Sequence, residues 1–362
     1  RNAMVVHAAC GGSTNLLIHV PAIAYHAGLP RPTAKDWDEV NRLVPRFVDV
    51  LPNGPRNHPT AQLFLAGGVP EIMLELREME MLELDALTVT GKTLEQNLNE
   101  WENSERRRRF RDILKEQDGI NPDDVILDPE RARVEGLTST VCFPIGNLAP
   151  EGSVIKSTAI SPEVLDADGV YRNTGQARVF YSESDAIEAV KGRVDTPVKP
   201  GDIMVMCGRG PMGTGMEEVA QITLALKHLS WGKEVALVTD ARFSGVSTGA
   251  CIGHVGPEAL AGGPIGKLRD GDLVRIVIDG PNLNGSLDFV GEDGREVSVE
   301  EGTSILKRRA APDALTADPR LPEDTRLWAA LQNAGGGTWG GCIYDVEKIL
   351  QLLKAGGEAL ES

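Results

Sequence analysis

The pattern of apolar and polar positions changes character along the chain. Residues 1–30 read as helix interrupted at Gly11-Gly-Ser-Thr-Asn15, whose hydroxyl and amide side chains are suited to cap the segment Leu16–Ala27. Residues 59–80 keep helical spacing and break at Gly67-Gly-Val-Pro70, and residues 84–98 predict a short strand, Ala86–Val89, before a helix start at Thr93. From Glu100 to about Arg133 the chain is highly charged and poor in apolar periodicity, which marks a boundary or connecting excursion. Beyond residue 135 short β-rich runs alternate with glycine and proline: Val141–Phe143, Ser153–Lys156, Arg178–Tyr181, Ile203–Cys207, Val235–Val238 and Leu273–Ile278. Such runs predict a barrel or compact mixed sheet rather than a long doubly wound one. Tyr344–Leu360 reads as an amphipathic closing helix.

The densest chemistry lies between Ile203 and Ser244. An apolar strand, the loop Gly208-Arg-Gly-Pro-Met-Gly-Thr-Gly215, a predicted helix Met216–Leu229 and a second strand ending at Asp240 form a βαβ pattern. The two strands are then parallel, and the loop and Ser244 emerge at the carboxyl edge, where open α/β sheets bind ligands.

Composition narrows the classes. The 362 residues suffice for two domains, and 41% hydrophobic and 25% charged residues describe an ordinary globular chain. A net charge of −16 argues against nucleic acid or an anionic membrane as partner. The one basic run, Arg106–Arg109, lies among Glu100, Glu102, Glu105, Asp112 and Glu116, and reads as a solvated helix with i,i+4 pairs. No run of about 18 apolar residues predicts a membrane span, and no signal peptide is visible. Cys10, Cys142, Cys207, Cys251 and Cys342 are scattered, with neither a disulfide framework nor zinc spacing, so a reducing cytoplasm is expected.

The glycine loop admits three readings. Gly208-x-Gly210-x-x-Gly213 matches the dinucleotide pattern, with Asp240 as ribose-binding acid, which would make the chain an NAD(P)-dependent oxidoreductase. The loop is overlong for that, and Glu217 and Glu218 would oppose a phosphate at the helix start. The two glutamates otherwise complement the helix dipole, or one of them holds a hard cation such as Mg²⁺. Spacing alone leaves these last two open. A P-loop, a Gly-x-Ser-x-Gly elbow and a His-Glu-x-x-His motif are all absent.

Six motifs now carry a resemblance. Gly11-Gly-Ser-Thr-Asn15, Leu87–Leu94, Gly146-Asn-Leu-Ala-Pro-Glu-Gly152, Gly210-Pro-Met-Gly-Thr-Gly-Met-Glu-Glu218, Thr239-Asp-Ala-Arg-Phe-Ser-Gly245 and His254-Val-Gly-Pro-Glu-Ala259 run in the order found in the dihydroxy-acid/6-phosphogluconate dehydratases. Arg1–Ala9 and Gly335-Gly-Gly-Thr-Trp-Gly-Gly-Cys-Ile-Tyr344 resemble the bacterial sugar-acid (D-xylonate) branch of that family. The resemblance implies a hydro-lyase that converts a 2,3-dihydroxy acid to a 2-keto-3-deoxy acid, using an iron–sulfur cluster and Mg²⁺. A dihydroxy-acid dehydratase of branched-chain amino-acid synthesis is the neighbouring alternative. By resemblance Glu218 ligates Mg²⁺, Ser244 removes the C2 proton, and Ser13, Thr14 and Asn15 line the substrate pocket. Arg209 could meet an anionic sugar acid or pack within the loop. Val246 stands where related enzymes often have a substrate-contacting threonine, for which Ser247 is the candidate substitute.

In the family the cluster cysteines precede the Gly-Gly-Ser-Thr-Asn motif, which here begins at Gly11; the chain therefore reads as the C-terminal portion of such an enzyme, without cluster ligands and inactive alone. The expected fold is α/β: residues 1–134 the latter part of an α/β domain, residues 135–362 a mixed β-barrel-like domain of the swivelling kind. A small-molecule sugar acid is the expected partner, and a homo-oligomer the expected assembly.

Overall fold

A computed structural model describes residues 1–51, 56–244, 247 and 249–361. Val246 lies outside the described residues. The chain divides into two compact units, one of Arg1–Ser13 with Trp37–Val141, the other of Thr14–Asp36 with Cys142–Ser362.

The first unit is built from helices. Asn2–Cys10 ends at Gly11, whose φ of 60° lets its N–H turn back to the Ala8 carbonyl. Thr60–Ala66 and Gly68–Glu78 divide at the expected glycines. Thr93 and Gln96 close a capping box on Leu94–Glu102. The expected strand Ala86–Val89 is instead a turn with a single bridge, Leu87 to Thr93, because Thr88 Oγ1 bonds within the turn to the Lys92 carbonyl. The charged stretch is helical, Glu105–Asp118 and Pro129–Val134. Arg131 pairs with Glu135 at i,i+4, 2.6 Å, whereas Arg107 and Arg111 turn inward onto the buried Glu71 carboxylate, at 2.7 and 3.1 Å.

The second unit is organised by a mixed sheet of nine strands among the described residues. In chain order the unit's strands are β1 (Val141–Cys142), β2 (Gly152–Lys156), β3 (Val170–Phe180), β4 (Ile203–Met206), β5 (Glu218–Val219), β6 (Ala236–Thr239), β7 (Arg242–Phe243), β8 (Cys251–Gly256), β9 (Leu273–Asp279), β10 (Asn284–Glu292) and β11 (Arg295–Glu296). The nine run β1-β2-β8-β6-β4-β3-β9-β10-β11, and β5 pairs β7 apart from them. β3, β4, β6 and β8 are mutually parallel, as the βαβ reading of β4 and β6 expects. β4 and β6 are buried on both faces, whereas β9 alternates, one face inward. Beyond β1, Ile145 bridges Ser286 of β10, and Asn147 exchanges bonds with the Phe289 backbone at 2.7 and 2.9 Å. The segment between β1 and β2 thus runs along the far side of the sheet and curls it toward closure, in keeping with an α/β chain whose second part is barrel-like.

The inner face packs Ile203, Val205, Val238, Ile252, Ile276 and Phe289 into one core. Glycine at position 213 is forced by contact, since a Cβ there would overlap the Gly208 carbonyl. Val346–Glu361 is the expected closing helix.

Candidate functional site

The parallel strands deliver three loops to their carboxyl edge, after β4, β6 and β8. The β4 loop turns at Gly208, φ 70°, and its backbone donors point at two buried carboxyls. Asp240, directly after β6, accepts from the N–H groups of Gly208 and Arg209 at 3.0 Å each and from Ala259 at 2.9 Å. Glu258, after β8, accepts from Met212 N–H at 3.0 Å, and a Cβ on Gly210 would collide with its carboxylate. These are the donors that a nucleotide phosphate would need. The loop's cradle is filled from inside, so the dinucleotide reading fails on geometry.

The helix expected over Met216–Leu229 is also corrected. Pro211–Thr214 forms one turn, Met216 takes φ 67°, which no continuing helix accommodates, and the helix proper is Gln221–Lys227. Glu217 and Glu218 therefore complement no helix dipole. Glu217 accepts from Arg209 Nε at 2.5 Å. Glu218 stands in β5 opposite Arg242 of β7, with Arg242 Nη1 4.0 Å from its Oε2.

Arg242 is the hub that sequence reasoning missed. Its Nε donates to the Met216 carbonyl at 2.9 Å and its Nη1 to Asn15 Oδ1 at 3.3 Å. Asn15 precedes the helix Leu16–His26 but makes no side-chain cap, since its amide oxygen serves Arg242 instead. Three of the quoted motifs thereby meet at one guanidinium. The signal was present, because Arg242 lies inside the Thr239–Gly245 motif, but its partner Asn15 is far away in sequence.

The remaining candidates take distinct places. Ser244 follows β7 directly and is half-buried, its carbonyl accepting from Ser247 N–H at 2.9 Å. Ser247 is buried, and its hydroxyl accepts from Thr223 Oγ1 at 3.2 Å. Arg209 is buried, its guanidinium on Glu217 and 3.7 Å from Asp318, at the wall of a cavity of about 430 Å³. Ser13 is exposed, its carbonyl bonded to His7 Nε2 at 3.2 Å, and Thr14 is buried.

Electrostatics follow burial. Desolvation raises Asp240, and burial with Asp240 nearby pushes Glu258 up to about 8. His254, on β8, is fully buried with neither ring nitrogen partnered, and burial beside Arg242 holds its pKa at about 3. Burial pushes the Cys251 and Cys342 thiols up to about 12, and raises Cys207 as well. Iron ligation needs thiolates. Among the described residues no three His, Cys, Asp or Glu are grouped to hold a metal, so these cysteines do not fit an iron–sulfur cluster. Glu218, partly exposed, offers a hard cation one carboxylate.

Comparison with known proteins agrees with the motif order. The chain is 61% identical over 359 residues to D-xylonate dehydratase YagF of Escherichia coli (strain K12), covering 99% of this chain and 54% of that protein. It is 60% identical over 355 residues to D-xylonate dehydratase YjhG of the same strain, covering 98% and 54%. It is 39% identical over 284 residues to a dihydroxy-acid dehydratase of Caldanaerobacter subterraneus subsp. tengcongensis, covering 78% and 46%. The chain spans about half the length of these relatives. The model of the dihydroxy-acid/6-phosphogluconate dehydratase C-terminal domain matches residues 136–314, and that of the N-terminal domain matches residues 1–97. Both domains of the family are therefore represented in the chain, the N-terminal one within residues 1–97. With both models matched in order, the chain belongs to the dihydroxy-acid/6-phosphogluconate dehydratase family.

Proposed function

We propose that the protein is a hydro-lyase that dehydrates a sugar acid, an aldonate such as D-xylonate, to the 2-keto-3-deoxy acid. The observation that carries this reading is the meeting of Asn15, Glu218 and Arg242 beside Ser244. The higher identity to relatives named D-xylonate dehydratases than to those named dihydroxy-acid dehydratases favours a sugar acid.

In this reading Arg242 and Asn15 orient the acid through its carboxylate and a hydroxyl, and Thr14 backs Asn15 from the interior. Ser13 of the same motif is a further substrate-binding candidate. Ser244 takes the C2 proton, the C3–O bond breaks to release hydroxide, and the proton held by Ser244 passes to that hydroxide to give water and restore the serine oxygen; the resulting enol tautomerises to the 2-keto acid. A serine oxygen is basic enough only where positive charge stabilises its alkoxide, and Arg242 two residues away supplies such charge. Glu218 would hold Mg²⁺, which supplies further positive charge at the substrate carboxylate. The resemblance also implies an iron–sulfur cluster; its ligands are not found among these cysteines and no step is assigned to it. Arg209 and Ser247 support the loops from behind. We place the domain division between residues 134 and 135, between the two family matches, and expect a cytoplasmic homo-oligomer.

The test is 2-keto-3-deoxy acid formation from D-xylonate by the protein expressed from its native gene. Ser244→Ala should lower kcat by about 10³-fold or more, the scale of losing a catalytic base. Turnover within about threefold of the parent would remove Ser244 from the chemistry.

A further inference from the structure

The helix Val346–Glu361 carries an apolar stripe that its own chain leaves open. Val346, Leu350, Leu353 and Leu360 are each more than half exposed, and only Ile349 is half-buried. With Gly357 these positions advance by four, three, four and three residues, the spacing of a seam between paired helices. Leu352 flanks the stripe, and the helix Glu323–Ala334, which packs against this one, adds Leu327 and Trp328, both at least half exposed. These seven side chains present on the order of 700 Å², more than the largest apolar patch of a typical monomer and close to the roughly 800 Å² that each partner gives to a standard interface.

The stripe is complementary to itself. A Cβ on Gly356 or Gly357 would meet nothing within 4 Å. Glycine weakens a helix interior and the chain's own packing does not require it here, which leaves the space to a partner. Turned end for end about Leu353, a second copy of the helix brings Leu360 level with Val346, and Gly356 and Gly357 level with Leu350 and Ile349. Large side chains then meet small ones, and Leu353 meets its own copy. Parallel pairing in register would set large against large and glycine against glycine. The helix carries two lysines against three glutamates, whereas the whole chain carries −16, so two acidic copies meet along it with little repulsion. We propose that this stripe is the interface with a second copy of the chain, an antiparallel helix pair about a two-fold axis at Leu353. It gives the homo-oligomer a surface and does not rest on the dehydratase reading.

Sedimentation of the 362-residue chain, combined with cysteine pairing, tests it. Leu353→Glu, at an exposed position, should weaken self-association about 100-fold or more, the scale of losing a central anchor from both copies. Gly357→Leu should weaken it as well, although leucine is the better helix former, so an unfolded helix cannot be the cause. Under mild oxidation Leu353→Cys should form an intermolecular disulfide absent from the parent. Leu360→Cys alone should form none, but an equal mixture of Val346→Cys and Leu360→Cys chains should. Ser244→Ala should leave association unchanged whatever it does to turnover, which keeps this result distinct from failure of the dehydratase reading. A parent that stays monomeric up to about 100 µM, where a standard-size interface is populated, would overturn the proposal. So would association untouched by both Leu353→Glu and Gly357→Leu, or disulfides formed alike by the single variants at 346, 353 and 360.

Discussion

Two buried side chains set opposing pH dependences on stability. Glu258 has a folded pKa of about 8, above its usual 4.5, so between those values the folded state holds a proton that the unfolded chain has lost. Its contribution therefore falls as pH rises from about 4.5 to 8. His254 is the reverse: with a folded pKa of about 3 against 6.5, the unfolded chain binds the extra proton, and stability is lost as pH falls through that window. Where the windows overlap, between about 4.5 and 6.5, the two slopes cancel. Urea midpoints measured from pH 4 to 8 should show a plateau there, with losses on both sides. Glu258→Gln should flatten the alkaline limb and leave the acid limb intact; an unchanged alkaline limb would place the proton elsewhere. Arg242 belongs to the same neighbourhood but acts through geometry. Arg242→Lys keeps the charge and loses the fork that reaches Met216, Asn15 and Glu218 together. In the proposed reaction that variant should raise KM for the sugar acid about tenfold or more, and an unaltered KM would take Arg242 out of substrate binding.

Among the elements, the helix Glu105–Asp118 shows how a charged sequence can be tertiary in purpose. Glu71 takes two bonds from Arg107, at 2.7 and 2.8 Å, one from Arg111, and one from Trp101 Nε1 at 3.2 Å. Removing one partner from such a buried cluster leaves uncompensated charge, which typically costs about 3–5 kcal/mol. Glu71→Ala should lower unfolding stability by that amount in denaturant titration, whereas Arg108→Ala, on an exposed position of the same helix, should change it by less than about 0.5 kcal/mol. The helix itself was legible from its sequence, but the partner was not, because Glu71 reads as an ordinary polar position in a helical pattern. The glycine breaks at Gly11 and Gly67 were legible for the same reason that β4 and β6 were: local backbone and periodicity decide them. β8 and β10 escaped notice. Cys251-Ile-Gly-His-Val-Gly256 is buried throughout and so does not alternate, and Asn284-Gly-Ser286 opens β10 with residues that signal turns. The overextended helix at Met216 failed on a positive φ that sequence gives no reason to expect of methionine. Glu218 and Ser244 were placed at one sheet edge from the βαβ pattern; the ladder that joins their segments, β5 with β7, needed the three-dimensional fold.

At the scale of the molecule, the distribution of cysteines bears on what the chain can assemble by itself. Cys10 is the one cysteine of the first unit, and Cys142, Cys207, Cys251 and Cys342 belong to the second. Cys207 and Cys251 close the sheet's interior, where Cys207 donates its thiol to the Ile265 carbonyl at 3.4 Å. Cys142 is buried at the end of β1. Burial that raises a thiol pKa works directly against the thiolate an iron ligand requires, and moving these side chains together would open the core that Ile203, Val238 and Ile252 share with Cys142 and Cys207. Anaerobic reconstitution of the 362-residue chain with ferrous iron and sulfide should therefore yield no bound cluster: after desalting, iron below about 0.1 per chain and no broad absorbance near 400 nm, against the coordination by several thiolates that such clusters need. Stoichiometric iron retained with that absorbance would show that the cysteines regroup, and would return cluster chemistry to residues that the fold now holds apart in its core.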